Sequence, residues 1–144
     1  MKKIFALCLM AIMGVVLAAS KEALAFLPNF ELVTLLLILF TLCFGRYVIG
    51  ALWVFLLLEG LLYGFGLWWA MYLYVWPLLA GLAWLFRWMD RAWQWALLAG
   101  GYGLCFGSLC ALAYLPLGGA SMALAWAIAG LPFDFIHAGA NFLL

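Results

Sequence analysis

The sequence is short of charge. Its 144 residues include six basic side chains, five acidic ones and one histidine, so little polar surface can be built from it. With 73% hydrophobic residues and a mean hydropathy of +1.30, a chain of this size cannot hide its apolar surface in its own interior, which excludes a soluble domain. The net charge of +1 leaves no basic face for nucleic acid, so partners are to be sought in the lipid bilayer or among small ligands. A lone histidine rules out a multi-histidine metal site, and there is no phosphate-binding glycine loop, HExxH or GxSxG. No cofactor is called for, and any uphill movement must draw its energy from another chain. The four cysteines, Cys8, Cys43, Cys105 and Cys110, sit in apolar runs without CxxC spacing, the setting of reduced packing residues.

What the chain has is apolar runs, cut by charges, Pro and Gly into six candidate spans near 4–19, 30–44, 48–63, 67–86, 95–115 and 132–144. The expected fold is a single all-α integral membrane domain of six transmembrane helices. The first run, preceded by Lys2 and Lys3 and followed by Ala-Leu-Ala, could also be read as a secretory signal. A first membrane helix is preferred, because the orientation works only if it is counted. With both termini cytoplasmic, Lys2, Lys3, Arg46, Arg87 and Arg91 fall inside and Lys21 outside, as the positive-inside rule asks. The same orientation puts Trp84, Trp88, Trp93 and Trp95 at the inner interface and Trp68, Trp69 and Tyr72 at the outer one.

The last span is the weak one. If Pro132 opens a helix, about 13 residues remain, roughly 20 Å against a hydrocarbon core of about 30 Å. Either the chain stops before its sixth helix is complete, or the span starts near Met122 and kinks at Pro132. Gly118, Gly119 and Gly130 bracket 121–129 as a separate short element at the outer surface, which favours the first option.

The helix after Pro132 carries the candidate site. Asp134, His137 and Asn141 follow at i, i+3 and i+7 and stack on one face. Ionisable groups inside a membrane are costly unless they face a protein interior or a cavity, so they point to function. Glu59 lies near the outer end of the third span, and Asn29 and Glu31 at the mouth of the second. With Tyr63, Trp68, Trp69 and Tyr72 at the same level, the expectation is an outward-facing pocket with aromatic walls and a few polar anchors. Plainer roles stand beside this. Asp134 could cap its helix, His137 and Asn141 could bond across helices as packing, Glu31 could be solvated, and the tryptophans could be belt residues. Glu59 has no basic neighbour in sequence, so it must be protonated, paired with His137, or bonded to a ligand. Two small-residue faces permit close helix approach: Ala11, Gly14 and Ala18 in the first helix, a candidate docking face, and Gly100, Gly103 and Gly107 in the fifth, where packing inside the bundle is the better reading.

Three segments, Leu27-Pro-Asn-Phe-Glu-Leu-Val-Thr34, Phe55-Leu-Leu-Leu-Glu-Gly-Leu-Leu-Tyr-Gly-Phe-Gly-Leu-Trp-Trp69 and Gly130-Leu-Pro-Phe-Asp-Phe-Ile-His-Ala-Gly-Ala-Asn-Phe142, resemble the substrate-binding S components of energy-coupling factor (ECF) transporters. The resemblance runs over nearly the whole chain. It implies a multi-pass protein of the bacterial plasma membrane that captures a vitamin or related micronutrient from outside. It also implies a complex with a transmembrane coupling subunit and two cytoplasmic ATPases. By position, the resemblance places Asp134, His137 and Asn141 in the substrate site with Glu59 and with Trp68 or Trp69. Many members dock through an AxxxA pair in helix one, for which Gly14 with Ala18 is the best match here. The reading is therefore of a capturing subunit that is not an enzyme. Its rivals are a membrane scaffold like the rod-shape-determining protein D and a small intramembrane enzyme using Glu59 or Asp134 with His137, for which no nucleophile or metal set is present.

Overall fold

The computed structural model describes residues 2–144, with the side chain of Lys2 outside the description. The described residues form helices only: α1 (Lys2–Ala23), α2 (Val33–Phe44), α3 (Tyr47–Tyr63), α4 (Leu67–Leu85), α5 (Ala92–Ala111), a 3-10 turn (Leu112–Tyr114) and α6 (Leu115–Leu143). Three stretches are long and apolar enough to cross a membrane: Lys3–Ala23, Leu67–Leu85 and the run Ala92–Leu143. Val33–Phe44 and Tyr47–Tyr63 are apolar but shorter. The exterior agrees with a membrane protein. Ile4, Phe5, Leu61, Leu104, Ile128 and Phe135 are exposed around the bundle, where a soluble protein would carry charge.

Packing follows sequence order only in part. α5 lies along α6, α1 packs chiefly on α3, and α4 bridges α2, α3 and α5. The core runs down the middle, with Leu17, Val33, Leu37, Phe55, Val75 and Leu79 fully buried. Close approach depends on residues without side chains. A Cβ at Gly103 would stand 2.9 Å from the carbonyl of His137, and one at Gly107 would stand 2.5 Å from the Asp134 carboxylate. The glycine stripe of α5 is therefore the slot into which the polar face of α6 fits.

The end of the chain differs from expectation. α6 does not open at Pro132. The backbone breaks at Gly118 and Gly119 (φ 70°, ψ −167°), and helix then continues through Pro132 to Leu143. Residues 121–129 are part of it rather than a separate surface element, and 120–143 gives about 24 residues or about 36 Å of helix. Pro132 misled because proline favours helix starts, yet a membrane helix tolerates it inside. Gly119 occupies a conformation open essentially to glycine alone. Gly119→Ala is expected to cost about 1–3 kcal/mol, measurable as a lower midpoint in thermal unfolding in detergent, although no side chain lies near enough to clash.

The small-residue face of α1 also needs correction. Gly14 and Ala18 are buried within the chain, Gly14 against Val54 and the Ala51 carbonyl of α3, and only Ala11 of the three is exposed. Small residues mark close contact without naming the neighbour, and here it is α3.

Candidate ligand cavity

The loop between α1 and α2 comes back over the bundle. Asn29 takes a positive φ of 57°, which an Asn side chain tolerates, and delivers Glu31 to the start of α2. There Glu31 accepts hydrogen bonds from the backbone N–H of Val33 and Thr34 and from the Thr34 hydroxyl (2.6 Å), satisfying donors that a helix start leaves free. Its Oε1 is also 3.2 Å from His137 Nε2. Glu31 thus ties the start of α2 to the C-terminal part of α6, and its side chain is only 15% exposed, so it is no merely solvated surface group.

The α6 face reads along its length as three contacts. Asp134 accepts the Gly107 N–H at 2.9 Å, His137 meets Glu31, and Asn141 donates to the Thr34 hydroxyl at 3.2 Å. All three are at most 4% exposed. Because the helix starts a long way before Asp134, the carboxylate is not a helix cap; its partner is the amide of another helix. Each residue keeps one buried polar atom without a partner: Asp134 Oδ2, His137 Nδ1 and Asn141 Oδ1.

Glu59 is fully buried in α3, and its partner is Lys21 at the end of α1, not His137. Lys21 reaches further, standing 3.7 Å from Glu22 and 4.7 Å from the centre of the Tyr63 ring, while the Tyr63 hydroxyl donates to Glu22. Lys21 carried weight in the sequence only as an orientation marker. Its chemical role could have been found by asking which cation lies at the level of an otherwise unpaired Glu59.

Between these clusters lies a cavity of about 340 Å³, walled on one side by the α1–α2 loop. Its wall contains Lys21, Asn29, Glu31, Tyr63, Tyr72 and His137 with apolar loop residues, and its floor holds Trp76 and Phe106. The rings meet edge to face, Tyr72 on Trp76 with centroids 5.6 Å apart and Phe106 on His137 at 4.9 Å. Trp76 is 2% exposed, and its indole N–H has no partner. Trp76 and Phe106 were missed because single aromatics inside apolar runs look like core.

Not every expected residue reaches this space. Trp68 packs behind it, between Tyr63 and Tyr72, and Trp69 turns toward α3, donating its indole N–H to the Leu56 carbonyl at 2.8 Å. Asp134 and Asn141 lie on the face that carries His137, but their bonds go to α5 and α2. Glu59 stands behind Lys21. A larger groove of about 600 Å³ runs between α2, α3 and α4, but it is lined by apolar side chains apart from Thr41 and Arg46, and it lacks converging polar anchors. The smaller, polar cavity is the better candidate for a ligand site.

No family model, no curated protein and no solved structure matches the chain.

Proposed function

We propose that this protein is the substrate-capturing membrane subunit of an ECF-type uptake system, holding a vitamin or related micronutrient in the outward-facing cavity without changing it covalently. The observation that carries the reading is the convergence of Asn29, Glu31, Tyr72 and His137, with the aromatic side chains of Trp76 and Phe106, on one cavity.

In this proposal the chain crosses the bacterial plasma membrane six times with both termini in the cytoplasm. The distribution of Arg46, Arg87 and Arg91 against Lys21 supports that orientation, and the length of 120–143 supports a full sixth crossing. α2, at 12 residues, is too short to cross alone. Its shortness fits a loop that descends into the outer half to wall a water-filled cavity, the one place where non-helical backbone is tolerated at membrane depth. The transmembrane coupling subunit and two ATPases would supply the energy. Of the predicted docking residues, Ala11 is the one left facing outward to meet a partner.

Binding to a panel of vitamins, followed by tryptophan fluorescence of the purified protein, tests the reading. One member of the panel is expected to bind, and Glu31→Gln and His137→Ala are each expected to weaken it about tenfold or more, at least ~1.4 kcal/mol. If no vitamin binds and the purified protein carries no small molecule, the scaffold reading takes its place, with the His137–Glu31 and Asn141–Thr34 bonds serving only to lock helices together.

A further inference from the structure

We infer that the larger groove between α2, α3 and α4 seats one acyl chain of an anionic phospholipid, with the headgroup phosphate held by Arg46 and Arg87; this goes beyond the capture reading and does not depend on it. The first ground is the chemistry of the lining. The groove encloses about 600 Å³, and Leu52, Leu56, Leu73 and Pro77 wall it along its length. The one hydroxyl in the lining, on Thr41, already donates to the Leu37 carbonyl at 2.7 Å. Whatever lies along these walls must be apolar, because nothing there would replace the water that a polar group gives up.

The second ground is the placement of charge. A short turn at 64–66 joins α3 to α4, so Arg46, just before α3, and Trp84, in the last turn of α4, share the end of the groove remote from that turn. The Arg87 guanidinium lies over the Trp84 ring, 4.5 Å from its centre, and so belongs to the same end. Among the described residues neither arginine has a carboxylate within ion-pair distance, Asp90 included, and the groove lining holds no acid. Two unmatched cations at the end of an apolar groove suit an anion with an apolar tail, as basic pockets between membrane helices suit anionic headgroups. The third ground is length. From Arg46 to Leu56, α3 advances about 15 Å, half of a hydrocarbon core about 30 Å thick. The groove is one leaflet deep, with its arginines and a tryptophan at the headgroup level, where such side chains prefer to sit.

The test uses the full chain purified in detergent and titrated, under native mass spectrometry, with phosphatidylglycerol and with zwitterionic phosphatidylcholine of the same acyl chains. Phosphatidylglycerol is expected to bind at least about fivefold tighter, the effect of one basic residue near an anionic surface. Arg46→Gln together with Arg87→Gln should erase that preference, and since both side chains are exposed the fold should be unaffected. Gly81 tests the groove apart from the charge. It lines the wall, and a Cβ there would meet nothing within 4 Å, so Gly81→Leu can fold and fill the space. That variant should keep its thermal midpoint and bind both lipids about tenfold or more weakly. Glycerol 3-phosphate, the anion without the tail, should displace neither lipid. Equal binding of the two lipids, a preference that survives loss of both arginines, a Gly81→Leu protein that binds lipid as its parent does, or displacement by glycerol 3-phosphate overturns the inference. So does a dimer mass without lipid adducts, which would give the groove to a second copy of the chain. None of these results bears on capture in the smaller cavity.

Discussion

Lys21→Met is expected to destabilise the protein by about 3 kcal/mol, the scale of breaking a buried ion pair from one side. The geometry makes the effect lopsided. Glu59 is fully buried and its second oxygen has no partner, so with Lys21 gone it must either take up a proton or stand as an uncompensated charge, and both cost stability. The Lys21 side chain is 26% exposed and keeps Glu22 and water within reach, so Glu59→Gln should cost much less, under about 1 kcal/mol. The double variant Lys21→Met with Glu59→Met should regain most of the loss, because replacing both members of a buried pair with apolar groups is often neutral or favourable. Reversible unfolding of the four proteins in one detergent measures the cycle. A Lys21→Met protein that unfolds with its parent would mean that Glu59 is held by something other than this pair.

The same pair marks the boundary of what the sequence discloses. Apolar runs locate α1 to α5 closely because hydropathy is a local property, and Gly64 and Gly66 bracket the α3–α4 turn as read. The grouping of Asp134, His137 and Asn141 on one face follows from helical periodicity alone. Partners are another matter. His137 and Glu31 are 106 residues apart, and Glu59 and Lys21 are 38 apart. Which acid meets which base depends on helix neighbours, and the order in space, with α1 against α3, is not the order in the chain. Local signals also compete at the end of the chain. Pro132 and Gly119 both announce a boundary, and what decides between them is backbone conformation: φ is positive at Gly119, while the chain stays helical through Pro132. Small-residue faces show the same limit, since Gly14 and Gly103 each report close contact but only the fold says with what.

Gly103→Ala is expected to destabilise the protein by about 2 kcal/mol, while Gly101→Ala two residues away stabilises it by about 0.5–1 kcal/mol. Both substitutions bring the same gain in helix propensity, so the difference between them isolates the α5–α6 seam. At Gly101 a new Cβ meets nothing within 4 Å. At Gly103 it would stand 2.9 Å from the carbonyl carbon and oxygen of His137 and 3.0 Å from the Ala138 nitrogen, and backbone cannot swing aside as a side chain can. The helices must part, and His137 moves with α6. Its 3.2 Å contact with Glu31 and its edge-to-face contact with Phe106 are then both strained, so under the proposed capture function Gly103→Ala should also weaken ligand binding about tenfold or more, where Gly101→Ala leaves it unchanged. Thermal unfolding and binding measured on the two variants together provide the check. Equal stability in both would mean that α5 and α6 can separate without cost. A destabilised Gly103→Ala that binds the panel ligand normally would detach His137 from the proposed site.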